Sequence, residues 1–283
     1  MVSKNHIKTA LLLGTLTGLL LLVGRLIGGI TGLTVALLFS AFMNLGALFV
    51  SDKLVLAMYR AEKAKGAEFK ELHQIVEEVA RKAGIPKPKI YIIPSNAANA
   101  FATGRSPRHS VVAVTRGILS ILNKEELKGV IAHEISHIKN HDMLVATIAA
   151  TIAGVISYIA QVARFAAIFG ERRDERRSSG IIGLIFLAIF APLIALLLQL
   201  AISRSREYLA DESGARTIEN PKALASALAK LEQSAKHRPL TFGNETTASL
   251  FIVNPFSAKS FAALFSTHPP IAARIERLMQ MKI

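Results

Sequence analysis

Four stretches of the chain carry no charged residue: Thr9–Gly24, Leu26–Ser51, Met143–Ala163 and Ser178–Ser203. A helix needs about 20 apolar residues to cross a bilayer core. The second and fourth stretches exceed that length. The third reaches it while carrying Thr147, Thr151, Ser157 and Gln161. The first is short, and spans only with Ile7 and a snorkelling Lys8 or Arg25. Hydrophobic residues make up 51% of the 283. That is too apolar for an ordinary soluble domain and excludes a disordered chain.

The first run, after Lys4 and Lys8, can be read as a signal peptide, but no small-x-small cleavage site follows it. Gly28-Gly29 and Gly32 instead make a tight connection into the second run, so a helical hairpin anchor is expected. Lys4 and Lys8 precede it, and Lys53, Arg60, Lys63 and Lys65 follow it. Both of its ends are therefore expected on the cytoplasmic side. The third and fourth runs are joined through Arg172, Arg173, Arg176 and Arg177, and an external loop with four arginines goes against the same tendency. Two readings stay open for this second hairpin: it crosses fully, or it is only partly inserted.

The remaining stretches, Asp52–Asp142 and Ser203–Ile283, read as a compact α+β unit. Phe69, Leu72, Ile75, Val76 and Val79 have helical spacing between Gly66 and Gly84. Lys89–Ile93 and Ser110–Thr115 are β-branched runs expected to form strands. Asn123 followed by Glu126 opens a helix over Lys124–His141. Pro221 starts another to Lys236, and Thr267 with Pro269-Pro270 starts the last. The expected organisation is an N-terminal transmembrane hairpin (1–51), a first catalytic part (52–142), a second hydrophobic hairpin (143–203) and a second catalytic part (204–283).

The formal net charge is +14, but there is no Trp, few aromatic residues and no basic recognition helix, so nucleic acid is not expected as a partner. The chain has no cysteine, which excludes disulfides, thiolate zinc sites and cysteine nucleophiles. Any metal must be held by His, Asp or Glu.

The helix expected from Lys124 contains His133-Glu134-Ile135-Ser136-His137. Histidines at i and i+4 share a helix face and can grip one cation. Imidazole suits zinc, which favours tetrahedral coordination with one position left for water. Glu134, beside the first ligand, can act as general base toward that water. This is the H-E-x-x-H pattern of the zincins. His141 is one turn past His137, about 12 Å along the helix from His133, too far to share the ion. The third ligand must come from another element. Glu207 fits, with Asp211 one turn later to hydrogen-bond a zinc histidine's other nitrogen. The same residues, between Arg204, Arg206 and Asp211, also read as an ordinary surface charge cluster.

Three segments together resemble the HtpX family of membrane zinc metalloproteases, related to the CAAX prenyl endoprotease. They are His133-Glu134-Ile135-Ser136-His137, Glu207-Tyr208-Leu209-Ala210-Asp211 and Phe265-Ser266-Thr267-His268-Pro269-Pro270. The resemblance extends over nearly the whole chain. It implies an α+β, mostly helical integral membrane protein, with up to four transmembrane helices and a zincin-like (gluzincin) catalytic domain. It also implies one Zn2+ per chain on His133, His137 and Glu207, with Glu134 as base and Asp211 behind a ligand. Asn99 and Ala100 would meet the extended substrate backbone, and His268 and Arg274 would stand near the zinc to stabilise the oxyanion. The implied activity is cleavage of misfolded or unassembled membrane proteins at the cytoplasmic face of the cell (inner) membrane, in quality control under stress. Unfolded or membrane protein substrates and the lipid bilayer are the expected partners. The rivals are a CAAX-type processing endopeptidase and a catalytically silent membrane scaffold or chaperone, against which the intact Glu134 argues.

Overall fold

The computed structural model describes residues 4–23, 26, 29–169, 178–237, 252 and 268–283. In chain order the elements are α1 (Lys4–Val23), α2 (Gly29–Met58), β1 (Glu62–Lys63), a 3-10 turn (Ala67–Phe69), α3 (Lys70–Ala83), β2 (Lys89–Ile93), β3 (Ala100–Ser106) and β4 (His109–Thr115). Then come α4 (Arg116–Ile121), α5 (Lys124–Lys139), α6 (Asp142–Phe169), α7 (Ser178–Ile218), α8 (Pro221–His237) and α9 (Ile271–Met279). The architecture is mostly helical α+β. The chain divides into two compact units, Met1–Ala47 with Val145–Ser203, and Leu48–Leu144 with Arg204–Ile283.

The first unit is apolar inside and out. Leu16, Leu20 and Val23 of α1 pack with Ala149, Ile152, Val155, Ile156 and Ile159 of α6 and with Ala191, Ala195 and Ile202 of α7. Ser40 Oγ of α2 donates to Thr151 O of α6 at 3.1 Å. Thr151 and Ser157, polar interruptions of the third apolar run, bond carbonyls one turn back at 2.8 and 2.9 Å. A helix can carry such hydroxyls through an apolar medium because their donors are satisfied internally. Phe186, Ile189 and Leu197 on α7, and Val35, Phe39 and Phe42 on α2, stand exposed. Asp142–Arg164 and Ile185–Ile218 are long and apolar enough to cross a membrane. The arginine-bearing connection Arg172–Arg177, on which the crossing of the second hairpin turns, lies outside the described residues, as do Phe265–Thr267.

The second unit is a four-stranded sheet, order β1-β2-β4-β3, covered by helices. β2 and β4 pair in parallel from Lys89↔Val111 to Ile93↔Thr115, and β3 pairs antiparallel with β4 as the edge strand. β3 reads poorly as a strand because Ala, Gly and Ser weaken its pattern; its place comes from pairing with Val111–Val114. Helix α3 buries Leu72, Ile75, Val76 and Val79 and ends at Gly84 in the left-handed conformation, φ 74°. Helix α5 opens with a full capping box: Asn123 Oδ1 accepts from Glu126 N, and Glu126 Oε2 accepts from Asn123 N, both at 2.9 Å. The same carboxylate accepts from Ser226 Oγ and Lys230 Nζ at 2.7 Å, tying α8 to the start of α5. The expected helix to His141 ends earlier, at Lys139. His141 is exposed, in the left-handed region at φ 54°, and α6 starts beside it. The last helix begins at Ile271, after the two prolines.

Candidate active site

Helix α5 is buried on nearly every side, between β3, α3 and α8. Two glycines let neighbours approach it. A Cβ on Gly129 would stand 2.9 Å from Leu224 N of α8. One on Gly214 of α7 would stand 2.9 Å from Ala132 C and His133 N. The second approach delivers α7 to the first histidine, and with it Glu207 and Asp211.

His133 Nε2 and His137 Nε2 lie 3.0 Å apart. Glu207 adds Oε1 at 3.4 Å from His137 Nε2 and Oε2 at 3.7 Å from His133 Nε2. One donor atom from each of the three lies within 4.8 Å of the others. A tetrahedral ion with bonds of 2.0–2.1 Å separates its ligand atoms by about 3.3 Å, so the spacing suits a zinc-sized cation. The proton inventory fits as well. His133 Nδ1 is 3.0 Å from Asp211 Oδ1, and His137 Nδ1 is 2.6 Å from Asp142 Oδ2. Each carboxylate takes an Nδ1–H, which turns both Nε2 lone pairs inward toward the third ligand. The residues therefore fit a cation held by two imidazoles and a carboxylate.

Each carboxylate is in turn held by an arginine. Arg274 is fully buried and grips Asp211 with two bonds, Nε to Oδ2 at 2.8 Å and Nη2 to Oδ1 at 2.7 Å. Its Nη1 donates to Ile252 O at 3.1 Å and lies 3.2 Å from Glu207 Oε2. Arg206 bonds Asp142 through Nε and Nη2, and donates to Asn140 O at 2.6 Å. Two parallel chains result, His133–Asp211–Arg274 and His137–Asp142–Arg206. Sequence reasoning missed Asp142 and Arg206. Asp142 is out of helical step with His137 and reaches it only because the chain turns at Asn140–His141. Arg206 reads from sequence as one member of a surface charge cluster. Gly214 gave no sequence signal.

His268 Nδ1 lies 3.0 Å from Glu207 Oε2. Its side chain is 10% exposed and that of Arg274 0%, which separates their roles. Arg274 is spent on Asp211, Ile252 and Glu207; His268 stands beside Glu207 with both ring nitrogens buried. Asn99 and Ala100 are also internally engaged. Thr115 Oγ1 accepts from Asn99 N and donates to Asn99 O, while Ala100 N donates to Asn99 Oδ1 and Ala100 O accepts from Ile252 N. Two residues on, the Ala102 N–H serves the Glu134 carboxylate. A substrate strand pairing with β3 must displace the Ile252 bond or use the edge from Ala102 onward.

Electrostatics follow from burial. It pushes the Glu134 carboxyl up to about 7; the Glu207 charge adds to this, and His137 and Arg274 oppose it. Burial also lowers His133, with the Asp211 bond pulling the other way. At His137 burial disfavours the charge, but Asp142, Glu207 and Glu134 outweigh it and raise the imidazole to about 9. The concentrated negative field that makes His137 basic is the field that would attract a cation.

Residues 66–282 match Peptidase family M48. The chain is 54% identical to a protein named Protease HtpX homolog from Pyrococcus abyssi, over 98% of this chain and 96% of that one. It is 54% identical to the homolog from Pyrococcus furiosus, over 97% and 95%, and 48% identical to that from Syntrophobacter fumaroxidans, over 98% and 99%. Among solved structures, S. mikatae Ste24p is similar in fold, with a TM-score of 0.61 at 19% identity, across 94% of this chain and 62% of that one.

Proposed function

The chain belongs to peptidase family M48, a family of metallopeptidases, and on that premise we propose that it is an integral-membrane zinc endopeptidase holding one zinc through His133, His137 and Glu207. The observation that carries this reading is the convergence of two inward Nε2 lone pairs and one carboxylate beside the buried Glu134. Bound zinc supplies Lewis acidity, which acidifies water and polarises a scissile carbonyl. The residues do the rest. Glu134, its carboxylate oriented by the Ala102 N–H, takes a proton from the attacking water and returns it to the departing amine nitrogen. Asp211 and Asp142 hold the histidine tautomers, with Arg274 and Arg206 holding the carboxylates. His268, beside Glu207, meets the oxyanion, while Arg274 acts through Asp211 and Glu207. The edge strand β3 binds an extended substrate by backbone pairing, which suits a sequence-tolerant protease.

The apolar runs anchor the chain as a multi-pass protein, and the basic residues flanking the first hairpin put the catalytic side in the cytoplasm. Anchored there, the site meets misfolded or unassembled membrane proteins emerging from the same bilayer, in keeping with a quality-control role under stress. Casein cleavage by detergent-purified protein with added zinc, beside Glu134→Gln prepared identically, tests the proposal. Cleavage by the native protein alone is expected. Equal cleavage by both would remove Glu134 from the chemistry, and cleavage by neither, with zinc bound to both, would favour the scaffold reading.

A further inference from the structure

The β3–β4 hairpin carries a feature that the chemistry at Glu134 does not use. No acidic residue occurs from Ala100 to Arg116, and the tip presents Arg105, Arg108 and His109 exposed. The tip is well formed. Ser106 pairs with His109 across Pro107-Arg108, with Ser106 Oγ 3.3 Å from His109 Nδ1, and Ser110 Oγ donates to Pro107 O at 2.9 Å. The register shifts between Thr103 and Ser106, where Gly104 has φ 126° and a Cβ would stand 2.1 Å from His109 O. Such a glycine bulge re-aims the end of a hairpin. Here it brings the Arg105 guanidinium over the Phe49 ring of α2, 5.2 Å from its centroid.

Phe49 belongs to the last turn of the uncharged run Leu26–Ser51, and the charged sequence begins at Asp52-Lys53. Phe49 is 56% and Leu54 60% exposed, and Lys53, one turn after Phe49 on the same helix face, is exposed too. The tip therefore lies at the point where an apolar helix turns polar, which for a spanning helix is the headgroup layer. Lys53, Arg105 and Arg108 make that level basic, and anionic headgroups complement it.

We propose that the β3–β4 tip, through Arg105 and Arg108, binds anionic lipid headgroups and thereby sets the height of the substrate-binding edge above the bilayer. This rests on the membrane-anchored reading given above. Ala102, whose N–H serves Glu134, is three residues from Arg105, about 10 Å along an extended strand. A tip held in the headgroups thus keeps the cutting edge within reach of segments leaving the membrane and limits access to chains far from it.

The test uses the full-length protein. The chain has no cysteine, so Ser106→Cys gives one labelling position for an environment-sensitive fluorophore. The labelled protein is reconstituted in phosphatidylcholine vesicles with or without phosphatidylglycerol, and quenching by headgroup-spin-labelled lipid is read. Strong quenching is expected with phosphatidylglycerol, weakening as salt rises. R105E/R108E should weaken headgroup association by more than about 25-fold, since each basic residue contributes about a fivefold preference for an anionic surface. The charge-neutral R105Q/R108Q should fall between. Quenching that is equal in neutral vesicles, or unmoved by the reversal, overturns the proposal. So does quenching relieved by an acidic casein fragment while lipid composition has no effect, which would assign the tip to substrate. Recovery of the protein outside the vesicle fraction would refute the membrane anchor itself, whereas a reconstituted but unquenched label refutes only the role of the tip.

Discussion

Glu134 is placed where ionisation costs stability, and replacing it should make the metal-free protein more robust in a pH-dependent way. The carboxyl is buried and its pKa raised from 4.5 to about 7. A raised value means that the fold favours the protonated form. Its contribution to stability is complete below 4.5 and is lost as pH climbs through 7. A shift of about 2.5 units at 1.36 kcal/mol each amounts to about 3 kcal/mol above pH 7, and under about 1 kcal/mol at pH 5. Gln keeps an oxygen for the Ala102 N–H and has no ionised form. Metal-free Glu134→Gln should therefore melt close to the native protein at pH 5 and about 6–12 °C higher at pH 8. Circular dichroism in detergent with chelator present measures this. Gln also removes the Glu134 charge that helps to raise His137, so this figure is the upper end of the gap. Added zinc should narrow the gap, because a cation at His133, His137 and Glu207 offsets the Glu134 charge. A gap that is constant with pH, or of opposite sign, would refute the reasoning.

Arg206→Ala should weaken zinc binding about 10–100-fold, because Asp142 loses its anchor and His137 its orientation, and Arg206→Lys should fall between; competition against a chelating dye measures both. Gly214→Ala should cost about 1–3 kcal/mol in thermal stability and lower zinc affinity together, since the added methyl forces α7 away from Ala132 and His133. Asp211→Asn should lower zinc affinity and leave the buried Arg274 with the Glu207 charge but without that of Asp211, destabilising the fold by about 1–3 kcal/mol, read as a lower melting temperature. A cysteine introduced at Ser178 should be labelled by an impermeant reagent from outside intact cells if the second hairpin crosses fully, and remain unlabelled if it is only partly inserted.

Much of the site was legible because its signals are local. The i, i+4 spacing of His133 and His137, the Asn123/Glu126 box and the strong periodicity of α3 each follow from a few neighbouring residues. The expectation of zinc rests on ligand types together with the family resemblance, and Glu207 was one reading among two until that resemblance singled it out. What stayed hidden depends on distant contacts. Strand β3 exists because Val111–Val114 offer it a partner. Asp142 reaches His137 only through a left-handed residue at the α5–α6 junction, and a pattern of 3.6 residues extends the helix past that point. Arg206 reads as one member of a surface charge cluster until the fold brings it to Asp142. Gly214 matters for the absence of a side chain, which no periodicity registers. Arg274 illustrates the reverse: the resemblance draws attention to it, but its role depends on which donors are already committed.

The claim at the centre of this account is that His133, His137 and Glu207 hold one cation. Zinc content per chain, measured by mass spectrometry on native protein and Glu207→Ala matched by circular dichroism, tests it most directly. The expected result is about one zinc per native chain and loss of zinc with loss of casein cleavage in the variant. Undiminished zinc in Glu207→Ala, or full proteolysis without zinc, would contradict it.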